Sequence, residues 1–186
     1  MSQAEIDRML LDAAYQQALK SLREGGIPIG AALATGDGTI LALGHNLRVQ
    51  ASEQIAHAEM VCLRNAGVGR SDWGELIMAT TLSPCAMCSG AAVLHGLRRV
   101  VVGESVNFKG REDWLIEAGI ETRVLDDDRC KRMMAAWIEA NPELWRDDVP
   151  TLPGARSPRK RVVQVKGGAA KGARGAKDAR GVAKRE

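Results

Sequence analysis

From Ile6 through Met9, Leu10 and Ala13, then Tyr15, Ala18, Leu19 and Leu22, apolar side chains recur at the spacing of one helix face. Ser2 and Glu5 supply a capping-box pattern before this run and Gly25-Gly26 stops it, which predicts a packed amphipathic helix. Short apolar runs at residues 29–34 and 40–43 flank Gly36-Asp37-Gly38 and predict a β-hairpin. A second helix is expected from near His57 to Asn65-Ala66-Gly67, where glycine suits a helix end. Residues 76–80 then predict a strand, Pro84 the first turn of a third helix reaching about His95, and residues 99–102 a strand without polar alternation, hence buried on both faces. A helix over 112–118, a strand over 122–125 and a helix from Asp126 carrying Cys130, Met133, Met134, Trp137 and Ile138 follow. Asn141-Pro142 interrupts that helix before a last short segment around Trp145. A helix, a hairpin, then alternating helices and strands predict an α/β fold, a mixed sheet with helices on both faces in three layers.

With 186 residues, 45% of them hydrophobic, the chain can bury one sizeable core, so one domain is expected. No apolar run reaches the roughly 18 residues of a membrane span, and the amino terminus lacks a secretory-signal pattern, so a cytoplasmic protein with no membrane partner is expected. Of four cysteines, Cys85 and Cys88 form a C-x-x-C suited to metal in a reducing compartment, while Cys62 and Cys130 read as buried small hydrophobes. The formal net charge of +3 conceals a division, because residues 155–186 hold 11 Lys or Arg against 2 acidic residues and leave an acidic body of 15 against 21. Three prolines in 149–158 mark the boundary, giving a domain over 1–154 and a basic Gly/Ala/Lys/Arg-rich tail over 155–186 that is expected to be disordered and solubilising. Nucleic acid is not expected as a partner beyond non-specific contact through that tail.

Two fragments carry the chemistry, His57-Ala58-Glu59 and Pro84-Cys85-Ala86-Met87-Cys88. A catalytic zinc takes three protein ligands from nitrogen and sulfur and leaves its fourth tetrahedral corner for water. Cys85 and Cys88, three apart, share one helix face, and a helix amino terminus favours their thiolates. His57 and Glu59 diverge by about 200° on a regular helix, so they meet one site only at a helix entrance. Two helix amino termini are therefore expected to converge on the metal. Taken alone, C-x-x-C is equally a structural half-site or redox pair, and H-x-E alone is noise; together, with 24 residues between Glu59 and Pro84, they match the signature of zinc nucleobase deaminases. Two thiolates offset much of the metal's charge, which makes a proton acceptor necessary, and Glu59 is the free carboxylate. Cys62 should point away from the centre, and His45 and His95 read as structural.

The runs Gly26-Ile27-Pro28-Ile29-Gly30, Gly44-His45-Asn46, His57-Ala58-Glu59, Thr81-Leu82-Ser83-Pro84-Cys85, Val102-Gly103-Glu104-Ser105-Val106-Asn107-Phe108 and Asp126-Asp127-Asp128-Arg129-Cys130 closely resemble fungal-type cytosine deaminases over about residues 20–150. The resemblance implies a cytidine deaminase-like fold with a five-stranded sheet, a homodimer, one zinc per subunit on His57, Cys85 and Cys88, and conversion of a free pyrimidine base, cytosine, to uracil and ammonia. It also implies that Asn46 meets the pyrimidine's carbonyl edge, that Asp148 accepts a ring or amino hydrogen, and that Phe108 and Trp145 wall and lid the base. Those enzymes carry a second aromatic after the lid tryptophan where this chain has Arg146, which bears on the size and polarity of the pocket. Deamination of isocytosine, another amino-heterocycle or a purine base remains an alternative, as do tRNA adenosine deamination and a non-catalytic zinc-stabilised binding module. Ser83, where the tRNA enzymes usually place a glutamate, and a carboxyl-terminal segment suited to closing over a small ligand favour the free base.

Overall fold

Helix α1 (Gln3–Arg23) starts on the expected box: Ser2 Oγ accepts from the Glu5 backbone N–H and the Glu5 carboxylate accepts from that of Ser2. In the computed structural model, which describes residues 1–148, it is followed by β1 (Gly30–Ala34), β2 (Ile40–His45), α2 (Arg48–Ala51), α3 (Ala58–Ala66), β3 (Ile77–Leu82), α4 (Ala86–His95), β4 (Arg99–Glu104), α5 (Glu112–Glu117), β5 (Glu121–Val124), α6 (Asp128–Ala140) and α7 (Pro142–Asp148). The expected boundary at residue 154 and the tail over 155–186 lie outside the described residues.

The five strands form one mixed sheet in the order β2-β1-β3-β4-β5; β1 is antiparallel to both neighbours, and β3, β4 and β5 run parallel. β1, β3 and β4 are buried along their whole length, which explains their unbroken apolar character, whereas β5 lies at an edge and is mostly exposed. On one face α1 packs Ile6, Leu10 and Ala14 against Ala32, Ala34, Ile77, Ala79 and Val101. Gly103 turns the same way and brings β4 against α6, since a Cβ there would sit 2.9 Å from Cys130 Sγ. The other face is covered by α3, with α4 and α5 beside it. Gly44 is what lets α3 approach β2, because a Cβ at that position would lie 2.3 Å from the Cys62 nitrogen and 2.5 Å from the Ala58 oxygen.

Two details differ from the sequence reading. The single turn α2 is too short to leave a periodic signal. Pro84 does not occupy a first helical turn: Cys85, extended at φ −67° and ψ 174°, is the N-cap of α4, and the Pro84 carbonyl instead accepts from the Arg111 backbone N–H at 3.0 Å.

A buried ion pair fastens α1 to the sheet. Arg99 of β4 donates through Nε and Nη2 to the two carboxylate oxygens of Asp7 at 3.0 and 2.6 Å. Asp7→Ala leaves that guanidinium with the exposed Glu121 as its remaining acidic partner among the described residues and is expected to lower unfolding stability by about 1.5–3 kcal/mol in denaturant titration.

Candidate active site

His57 is the N-cap of α3 and Cys85 the N-cap of α4, so both precede their helices in extended conformation and turn their side chains across the helix entrances. Cys88 lies one turn into α4, on the same side as Cys85. The structure brings the three together: His57 Nδ1 stands 3.5 Å from Cys85 Sγ and 3.7 Å from Cys88 Sγ, and the sulfurs are 3.7 Å apart. A tetrahedral zinc, with bonds of about 2.3 Å to sulfur and about 2.0–2.1 Å to nitrogen, needs sulfur–sulfur edges of about 3.8 Å and sulfur–nitrogen edges of about 3.6 Å. The triangle fits that ion, and among the described residues it is the group of His, Cys, Asp and Glu side chains close enough to hold one.

The electrostatics suit a cation. A hydrogen bond from Cys88, then His57, pulls the Cys85 thiol down to about 4 against the opposing effect of burial. Glu59, one residue inside α3, is 4% exposed; burial and then the neighbouring Cys85 charge push its carboxyl up to about 7. A carboxyl so placed can both hold and release a proton near neutrality. Cys62 points away, its thiol directed at the Ala42 carbonyl at 3.4 Å, and burial drives it up to about 12. His45 pairs with Glu24 at 2.8 Å and His95 stacks on Trp73, both apart from the centre.

Asp148 borders the triad, and Asn46 follows directly on β2. Asn46 is fully buried at the end of β2; its Oδ1 accepts from the Arg48 backbone N–H at 3.0 Å, which fixes the amide and leaves Nδ2 without a hydrogen-bond partner among the described residues. Asp148 of α7 lies 3.5 Å from His57 Nε2, and burial raises its carboxyl from its ordinary value against the lowering effect of His57 and Arg48. Phe108 and Trp145 meet edge to face, with ring centroids 6.2 Å apart. Arg146 turns outward, forking onto Glu143 at 2.6 and 3.1 Å, so it adds no charge to the pocket wall.

Two residues escaped the sequence reading. Glu104, fully buried at the end of β4, accepts from the Val106 and Asn107 backbone N–H groups at 2.6 and 3.0 Å and from the Asn107 side chain at 3.0 Å, anchoring the loop that carries Phe108. Arg48 of α2 reaches Asp147 and Asp148 of α7. Arg48 lies two residues beyond Asn46, but its partners are about a hundred residues later and leave no local signal; Glu104, a charge ending an apolar strand, was the more visible of the two.

Residues 4–104 match the family model of the cytidine and deoxycytidylate deaminase zinc-binding region. The chain is 46% identical over 144 residues to the cytosine deaminase of Candida albicans, covering 77% of this chain and 96% of that one. It is 35% identical over 121 residues to a tRNA-specific adenosine deaminase of Streptococcus pyogenes, covering 64% of this chain and 72% of its relative. The guanine deaminase structure from Nitrosomonas europaea shares the fold at a TM-score of 0.58 and 21% identity, over 69% of this chain and 82% of that one. An α/β/α fold, a three-ligand zinc triangle at two helix entrances and this matched region together make the chain a member of the cytidine and deoxycytidylate deaminase zinc-binding family.

Proposed function

We propose that this chain converts cytosine and water to uracil and ammonia, with zinc held by His57, Cys85 and Cys88 and with Glu59 as the proton carrier. The observation that carries this reading is the 3.5–3.7 Å triangle of ligand atoms with the buried Glu59 carboxyl two residues from one of its corners. Zinc held by these three residues would supply a Lewis acid that lowers the pKa of a water. Glu59 takes a proton from the attacking water and delivers it to the ring nitrogen beside the amino-bearing carbon. The oxygen of that water bonds the amino-bearing carbon, Glu59 moves the proton left on that oxygen to the amine, and the carbon–nitrogen bond breaks to leave the new carbonyl of uracil and ammonia.

The flanking groups select the base. Asn46, its amide fixed by Arg48, presents a donor, and Asp148 presents an acceptor. Cytosine offers the complementary carbonyl oxygen and N–H groups, while Phe108 and Trp145 wall its ring. The Candida albicans relative supports cytosine over isocytosine or a purine base. Adenine, lacking a carbonyl, would leave the Asn46 donor unpaired at a cost of about 1–3 kcal/mol, or roughly 10–100-fold in rate.

A homodimer belongs to this reading. On α4, Leu94 is 82% exposed beside the half-buried Ala91 and Val93, an apolar face that a second copy would cover and that sedimentation tests. Metal-ligating thiols suit a cytoplasmic setting, and among the described residues no helix is long and apolar enough to cross a membrane.

Ammonia release from cytosine, isocytosine, 5-methylcytosine, guanine, adenine, cytidine and tRNA tests the substrate. Cytosine should lead, yielding one uracil per ammonia; turnover confined to adenosine in tRNA would overturn the proposal. Removal of residues 155–186 should leave the rate on free cytosine unchanged, because every group invoked lies before residue 149.

A further inference from the structure

Helix α7, the last among the described residues, carries both Trp145 and Asp148, and a side chain from α2 reaches it. Arg48 is 7% exposed, a level at which a guanidinium needs several partners. Its Nε donates to Gln54 Oε1 at 2.8 Å and its Nη2 to Asp147 Oδ2 at 2.8 Å, while Gln54 Nε2 adds a longer contact of 3.4 Å to the same Asp147 oxygen. Its Nη1 stands 2.7 Å from Asp148 Oδ1 but is not aligned for a hydrogen bond, so neither atom has a hydrogen-bond partner among the described residues. That contact is an ion pair that holds the Asp148 carboxylate in place, and its Oδ1 accepts no hydrogen bond among the described residues. The two aspartates differ in setting: Asp147 is 61% exposed in its side chain, Asp148 only 4%. One guanidinium thus grips an outer carboxylate that ties down the helix and an inner one that faces His57. The backbone N–H of the same residue fixes the Asn46 amide.

We propose that Arg48 is a positioning residue that latches α7 to α2 and aims Asp148 at the base, so that both polar groups facing the pyrimidine are oriented from one residue of a single-turn helix. The substrate part of this inference rests on the cytosine reading; the latch part does not. Losing the guanidinium frees α7 to leave the body and lets Asp148 turn. Base binding weakens, while the zinc triangle and Glu59, held on α3 and α4, stay intact. Lysine cannot fork onto two carboxylates and restores only part of the effect.

The test uses the full-length, zinc-loaded chain with Arg48→Met, Arg48→Lys and Asp147→Asn, measuring zinc content, amide hydrogen exchange over residues 142–148, and KM and kcat for cytosine. Expected for Arg48→Met are zinc near one per chain, exchange over 142–148 faster by roughly tenfold and KM raised by roughly tenfold, with kcat changed much less. Arg48→Lys falls between it and the wild type. Asp147→Asn, at an exposed side chain, speeds exchange in the same direction, and it decides the matter if Arg48→Met does not fold. Unchanged exchange in the folded variants would overturn the latch, and faster exchange with unchanged KM would overturn the aiming of Asp148. If the wild type does not turn over cytosine, the cytosine reading fails by itself and exchange alone judges the latch.

Discussion

Glu59→Ala is expected to lower cytosine deamination by at least about 10³-fold while zinc stays bound at one per chain. Both proton movements of the proposed reaction pass through this carboxyl, and the other carboxyl at the site, Asp148, is ion-paired with Arg48 and is assigned to the base instead. It is not one of the three ligand atoms of the triangle, so its removal should leave metal content unchanged. Glu59→Gln keeps the shape and the burial but cannot cycle a proton, and it should be about as inactive as alanine. Metal analysis and an ammonia assay on the same sample separate the two roles. Retained turnover in either variant would dismiss the proton carrier; loss of zinc along with activity would make Glu59 a support of the metal site instead.

Cys88→Ala is expected to abolish activity by removing the metal. Cys88 is 2% exposed, one turn inside α4, and supplies one of the two sulfurs. A triangle reduced to His57 and Cys85 keeps too few ligands for tight tetrahedral binding. The wild-type unfolding midpoint should rise with added zinc, since a ligand bound only by the folded state stabilises it by about 2.7 kcal/mol at a hundredfold excess over its dissociation constant. The variant should lose that response, and the wild type should lose both the response and its turnover under a chelator, then regain both when zinc is returned. A Cys88→Ala protein that still responds to zinc would place the metal elsewhere.

The parts of this molecule legible in its sequence are those whose cause is local. Apolar spacing from Ile6 to Leu22, the hairpin around Gly36-Asp37-Gly38 and the unbroken apolar run of β4 each report directly on burial, and each element is present. The metal triangle was legible for a related reason: ligand chemistry restricts the residue types, and helix geometry restricts the spacing. Where Pro84 was expected to open α4, Cys85 caps it instead, because a proline favours the first turn without excluding the approach to a cap. Arg146 illustrates the reverse limit. As a replacement for an aromatic it bore on the polarity of the pocket, but its pairing with Glu143, three residues earlier on the same helix, carries it to the surface. Arg48 and Asp147 were out of reach because their contact joins α2 to α7 across 99 residues, and only the folded chain brings them within 2.8 Å.

Zinc K-edge X-ray absorption of the zinc-loaded protein tests the metal centre most directly. Two sulfurs at about 2.3 Å, one imidazole nitrogen at about 2.0–2.1 Å and one further light atom from solvent are expected, the last replaced when a substrate analogue is added. A shell filled by a third sulfur or by a fourth protein ligand, or a chain that binds no zinc, would contradict an open centre built from His57, Cys85 and Cys88.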